Sequence, residues 1–161
     1  VDTSGVALGA SSIGLDVSVG TIDAIPSISK SCGNPPSETM AWNVVWQREN
    51  APTNHDIRGA QIRPDGAIGI PAFTLDSTGN DDTQPSVSSL LDGATGARAW
   101  LVVYERLVSG THIDIVGRVM LGSTSVAYVD LSGIEGAITV FQDQVRPAVD
   151  SDGFCFALSY D

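Results

Sequence analysis

Positive charge is scarce: eight of the 161 residues are basic, and only one of these, Lys30, is a lysine. Nineteen residues are acidic, so the formal net charge is −11 at pH 7. Such a surface repels phosphate backbones and anionic bilayers, which argues against nucleic acid as a partner. Long apolar runs are missing too. None approaches the ~20 residues that span a bilayer as a helix, so membrane insertion is not expected. Cysteine occurs twice, as Cys32 and Cys155. The two have no metal-ligand spacing and fit one disulfide in an oxidising compartment, with two buried thiols as the alternative. No stretch keeps a period of 3.6, which removes helical folds.

Motifs of catalysis are also lacking. The chain has no Gly-x-Ser-x-Gly, no His-Glu-x-x-His and no phosphate-cradling glycine loop. Its two histidines, His55 and His112, fall one residue out of register with each other in the repeat described below. No catalytic residue is assigned, and the balance leans against an enzyme. What is present is a globular composition, 42% hydrophobic and 17% charged. The chain opens on Val1 rather than Met, which fits a removed signal peptide or a piece of a longer protein.

The main content of the sequence is an internal repeat. Ala41-Trp42-Asn43-Val44-Val45-Trp46-Gln47-Arg48 matches Ala99-Trp100-Leu101-Val102-Val103-Tyr104-Glu105-Arg106 at an offset of 58. The match runs without gaps to Gly59 and Gly117, with nine identities in 19 positions. Chance would supply about one, so the period is real. Upstream, Pro26-Ser27-Ile28-Ser29 recurs as Pro85-Ser86-Val87-Ser88 and, more weakly, as Pro147-Ala148-Val149-Asp150. Phe156 to Asp161 is a degraded echo of Trp42 to Gln47.

Each unit reads as four short strands. Strand A follows the proline, and strand B is the Trp-x-Val-Val-aromatic run, rich in β-branched and aromatic residues. Strand C carries Asp56-Ile57-Arg58-Gly59 or Asp114-Ile115-Val116-Gly117. Strand D lies near Phe73–Asp76 and Ala127–Leu131. Arg63-Pro64-Asp65-Gly66, Thr78-Gly79-Asn80-Asp81, Asp92-Gly93 and Asp152-Gly153 supply the turns. Four antiparallel strands at this spacing suit the blade of a β-propeller.

The unit resembles the β-propeller repeat of large bacterial secreted and cell-surface proteins. There an aromatic-x-Val-Val-Trp strand precedes an Asp-Ile-x-Gly strand and a Pro-Asp-Gly turn. The matching residues are Trp42–Trp46, Asp56–Gly59 and Pro64-Asp65-Gly66. The second copy departs from it with Leu121-Gly122-Ser123 in place of the turn. The resemblance implies a propeller, usually within a longer chain, and a role in binding or scaffolding.

The expected fold is therefore all-β, with about three blades of four antiparallel strands in a single domain, residues 1–161. Residues 24–82 and 83–145 form whole blades. Residues 1–23, containing Val6-Ala7-Leu8 and Leu15–Val19, supply strands C and D of a split blade, and 146–161 supply its strands A and B. A β-sandwich is the fold alternative. Propellers need about four to eight blades, so the chain is expected to associate. The partner is either a second copy, head to tail, or further blades of a longer parent chain. Unpaired strand edges at each end favour such pairing.

Candidate ligand contacts are few. Arg48 and Arg106 recur eight residues before Asp56 and Asp114, where a hairpin brings them opposite each other as a cross-strand ion pair. A ligand-facing charge set is the other reading. Trp46 and Tyr104 belong to the inter-blade core or, if exposed, could stack on a sugar, which admits a glycan partner. The oxygen-rich loop with Asp76, Asn80, Asp81 and Asp82, and the turn Asp150–Gly153, admit calcium as a cofactor, although neither has the EF-hand spacing. The expected function is a non-enzymatic, secreted or cell-surface binding and assembly module. A lectin-like propeller and a propeller-scaffold hydrolase or lyase are the alternatives.

Both cysteines sit at the A–B end of their blades, and a closed head-to-tail dimer makes those hairpins neighbours. An inter-chain Cys32–Cys155 bridge is expected in that dimer. Non-reducing electrophoresis should show a band at twice the monomer mass that collapses on reduction; a monomer band carrying two free thiols would refute the bridge.

Overall fold

The computed structural model describes residues 14–16, 20–31, 41–92, 98–130 and 143–161. Among these residues every regular element is a strand. β1 (Ile22–Ile28), β2 (Trp42–Ala51), β3 (Asn54–Ile62) and β4 (Ile68–Asp76) form a first antiparallel sheet in chain order. β5 (Asp81–Val87), β6 (Leu91–Asp92), β7 (Arg98–Ser109), β8 (His112–Leu121) and β9 (Thr124–Asp130) form a second. Its order is β5-β7-β8-β9, with the short β6 pairing on β7. β10 (Ala148–Ser151) and β11 (Phe156–Ser159) pair antiparallel as a third.

The strands follow the repeat. β2 and β7 contain the two Trp-x-Val-Val-aromatic runs, and β3 and β8 contain the two Asp-Ile-x-Gly segments. Strands A begin earlier than expected, before the prolines rather than after them, at Ile22 and Asp81. Of the expected split-blade strands near the start of the chain, only Leu15 and Asp16 fall among the described residues.

The early start has a local cause. In β1, Ala24 pairs with Gln47 and Ser27 with Val45, so Ile25 and Pro26 together face Trp46. In β5, Gln84 and Pro85 face Tyr104 in the same way. Two residues against one is a β-bulge. Proline has no N–H to give a ladder and tolerates this position. The residue before each bulge proline takes positive φ, Ile25 at 50° and Gln84 at 52°, and so does Arg146 before Pro147, at 56°. The third case completes the pattern. Val145 and Asp161 exchange backbone hydrogen bonds of 3.1 and 2.9 Å, and Ala148 pairs with Ser159. Arg146 and Pro147 therefore face Tyr160, which stands where Trp46 and Tyr104 stand.

The serine that closes each Pro-Ser-x-Ser segment also has a job. Ser29 Oγ accepts the Asn43 N–H at 3.0 Å, and Ser88 Oγ accepts the Leu101 N–H at 2.9 Å. Each hydroxyl continues the ladder one step beyond the strand.

Side chains alternate between the two faces of a strand, and both faces of the central strands are covered. Val45, Ile57 and Leu75 of the first sheet join Val87, Trp100, Val102 and Tyr104 of the second in one buried cluster. Leu101, Val103 and Ile115, from the opposite face of the second sheet, join Val149 with Phe156, Leu158 and Tyr160 of the third. On the outer face of the first sheet, Val44, Trp46 and Ala60 gather with Leu15. The repeated glycine of Asp-Ile-x-Gly lies against these clusters. A Cβ on Gly59 would come within 2.8 Å of Leu75 Cδ1, and one on Gly117 within 3.1 Å of the Val102 carbonyl.

Candidate functional site

The densest polar cluster lies in the seam between the first two sheets. Arg106 on β7 is 7% exposed, and its carboxylate partners Asp82 and Asp76 are 0% and 3% exposed. Asp82 comes from β5, on Arg106's own sheet, and Asp76 from the end of β4 on the first sheet. Arg106 donates from Nε to Asp82 Oδ1 at 2.7 Å and from Nη2 to Asp82 Oδ2 at 2.9 Å. The same Nη2 lies 2.7 Å from Asp76 Oδ2. That oxygen also accepts from the Tyr104 hydroxyl and from Arg118 Nε and Nη2, the latter two at 2.9 and 2.7 Å. Tyr128 lies beneath both guanidiniums, with its ring centroid 6.0 Å from Arg106 and 5.4 Å from Arg118.

The first sheet carries the same arrangement. Arg48 donates from Nε and Nη2 to the two carboxylate oxygens of Asp23, each at 2.8 Å. Its Nη2 also lies 2.7 Å from Asp16 Oδ2. Asp23 stands where Asp82 stands, and Leu15-Asp16 stands where Leu75-Asp76 stands. Leu15 packs on Val44 and Trp46, as Leu75 packs with Val102 and Tyr104.

Burial decides the protonation behaviour of the seam. It pushes the Asp82 carboxyl up to about 6, and the bonds from Arg106 oppose this only in part. Burial acts on Asp76 in the same direction, but the Tyr104 hydroxyl and the Arg118 and Arg106 guanidiniums outweigh it and hold Asp76 below the usual carboxylate value. Burial also raises the Tyr104 hydroxyl, and Asp76 adds to that rise. In the first sheet, Asp23 and Asp16 raise the Arg48 guanidinium, with the Asp23 hydrogen bond the largest cause.

This geometry revises several expectations. Arg48 and Arg106 do sit opposite Asp56 and Asp114 in the hairpin register. Their ion partners, however, are Asp23 with Asp16 and Asp82 with Asp76, and Asp114 pairs with His112 Nε2 at 2.9 Å. Trp46 and Tyr104, 5% and 0% exposed, are core residues rather than a stacking surface. The residues of the calcium reading each have a protein partner. Asp76 and Asp82 hold Arg106, Asp81 Oδ1 accepts the His55 N–H at 3.1 Å, and Asn80 Nδ2 donates to Thr78 at 3.3 Å. In the second candidate turn, Asp150 pairs with Lys30 at 2.7 Å and Asp152 Oδ1 accepts the N–H groups of Phe154 and Cys155. Among the described residues, no group of three or more His, Cys, Asp or Glu side chains is placed to hold a metal ion. Cys155 is exposed, and Cys32 lies outside the described residues.

Chemically, the cluster ties one sheet to the next. Two further contacts repeat beside it. Gln47 Oε1 accepts the N–H of the bulge residue Gln84 at 3.2 Å, and Glu105 Oε1 accepts that of Arg146 at 2.8 Å. Asp81 Oδ1 accepts the His55 N–H, and Asp143 Oδ1 accepts the Ile113 N–H at 3.0 Å. The asparagine and glutamine of the first sheet add to the seam: Gln61 donates to Asn43 at 2.7 Å, and Asn43 donates to the Ser88 carbonyl at 3.3 Å. Comparison with known proteins returned no matching family model, curated protein or solved structure.

Truncating one partner of a buried ion cluster strands the other charges. Arg106→Met should therefore lower stability by about 3–5 kcal/mol in urea denaturation. Arg48→Met should cost less, because the Asp23 side chain is 35% exposed and water can take over, and the more buried Asp16 keeps Arg58 at 3.4 Å. Equal losses would contradict the assignment.

The pH dependence has a defined sign. Between 3.8 and about 6 the folded chain keeps a proton on Asp82 that the unfolded chain has released. Stability should thus rise as the pH falls through that window. Asp76 acts oppositely: its contribution is present above the ordinary carboxylate value and is lost as the pH falls below it. Stability measured from pH 7 to 3 should pass through a maximum near pH 4. Asp82→Asn should flatten the rise, and an unchanged rise would assign it to other carboxylates.

Proposed function

We propose that the chain is a run of β-propeller blades that works as a non-enzymatic binding and assembly module, completing its propeller by association. One observation carries this reading. Two successive sheet junctions use the same repeat positions: 47 and 105 for the bulge contact, and 87 and 149 for the buried hydrophobe. The ion cluster of the first junction recurs at the outer face of the first sheet, with Leu15 and Asp16 in the places of Leu75 and Asp76. A contact set that each sheet both offers and receives builds an array, and a twisted array of four-stranded sheets closes as a propeller. A two-sheet sandwich buries one face of each sheet, whereas the second sheet here buries one face against the first sheet and the other against the third.

The lectin alternative loses support, since the two aromatics it relied on are buried. The strongly acidic composition and the resemblance to bacterial surface repeats favour a secreted or cell-surface setting. Partners of choice are a second copy or further blades of the same kind.

Light scattering after size-exclusion chromatography tests the association. The full chain should show a mass above that of one chain at tens of micromolar and dissociate on dilution. A mass of one chain over the whole range, with the sheets folded by circular dichroism, would overturn the reading.

A further inference from the structure

The repeat allows each sheet junction to be compared with the others position by position. Val87 is 4% exposed and Val149 is 8% exposed, but Ile28, at the same position of the first sheet, is 57% exposed. Val87 shares its buried cluster with Val45, and Val149 shares its cluster with Val103. Val45 and Val103 occupy one repeat position, on the sheet that precedes the covered valine in each case. Ser159 occupies that position on β11.

A pocket of about 230 Å³ opens on the outer face of the first sheet, with Leu15, Asp23, Pro26, Val44 and Trp46 among its walls, and Val44 is the ladder partner of Ile28. Val44 and Trp46 are buried as their equivalents Val102 and Tyr104 in the second sheet are, but Asp23 and Pro26 on β1 are exposed where Asp82 and Pro85 on β5 are buried. There Val45 and Ile57 of the preceding sheet enter the same cluster as Val102 and Tyr104. The outer face of the first sheet thus has the residues of a junction, but among the described residues β1 is left exposed at Ile22, Ile25 and Ile28.

The polar contacts point the same way. Gln47 and Glu105 cap the N–H of the next sheet's bulge residue. Asp161 stands at their position in the third sheet, paired with Val145 as Gln47 is with Ala24, and its side chain is 69% exposed. Ile25 stands at the position of Gln84 and Arg146 and shares their positive φ.

We infer that the outer face of β1 and β2 is the docking site for the β10–β11 pair of a second copy of this chain. Ser159 of that copy covers Ile28, and the Asp161 carboxylate accepts the Ile25 N–H. The interface continues the two junctions already inside the chain, so its occupant is the strand pair that they use. This rests on the association reading above.

Disulfide trapping tests the contact. In a chain with Cys32→Ser and Cys155→Ser, the pair Ile28→Cys and Ser159→Cys should give an inter-chain link on mild oxidation, whereas each single cysteine of that pair should give little. A native dimer that forms no 28–159 link, or a link within one chain, would overturn this interface and leave association standing. A monomer at all concentrations would overturn both. Ile28→Asp should weaken dimerisation at least about tenfold. Its circular dichroism should be unchanged, because Ile28 is exposed. Val126→Ser, at a residue 52% exposed on β9, should leave the affinity as it was. An equal loss in Val126→Ser would count against the proposed face.

Discussion

Arg106 carries a full charge into the seam between two sheets, and the placement of both sheets depends on how that charge is met. A buried guanidinium without partners would cost several kcal/mol. Asp82 satisfies it from its own sheet, and Asp76 from the sheet before. Sliding one sheet over the other would pull Asp76 away from Arg106, Arg118 and Tyr104 together. Hydrophobic contact is non-directional, so the valine and tryptophan cluster alone would tolerate such a shift. The ion cluster would not, and it supplies the register that the apolar core lacks.

The bulges work alongside it. Each x-Pro pair adds a residue to strand A opposite an aromatic side chain of strand B, and leaves the N–H of the first residue turned out of the ladder. At Gln84 and Arg146 that N–H is taken up by a side chain of the preceding sheet. A local distortion, repeated because the proline is repeated, thereby becomes a contact between sheets. The glycines of Asp-Ile-x-Gly act at the same level, since any side chain there would press into Leu75 or the β7 backbone.

The repeat, the four-strand unit and the placement of β2, β3, β7 and β8 were legible in the sequence, because β-branched and aromatic runs with turn residues between them report local backbone preference. Strand A begins before the proline that marks it in the sequence, because that proline sits in a bulge within the strand. The hairpin register points to Asp56 and Asp114 as the arginine partners, whereas the actual partners Asp23 and Asp82 lie 25 and 24 residues before their arginines. A signal for them did exist: Asp23 and Asp82, like Asp16 and Asp76, recur at nearly the repeat offset. The short β6 left no such signal. Nor could the pattern of β2 and β7 show whether Trp46 and Tyr104 were exposed, since a strand covered on both faces loses the alternation that reports burial.

By itself, the sequence determined an all-β chain of repeated antiparallel units, with acidic surface chemistry and turns at Gly66, Gly79 and Gly153. These features follow from residue preferences over a few positions, which the chain carries wherever it is. Only the tertiary structure decided which carboxylate meets which guanidinium, which aromatics are core, and which repeat of an otherwise shared position is left uncovered at Ile28. Those outcomes depend on which sheet lies over which, and a through-space relation between distant segments has no local residue pattern to announce it.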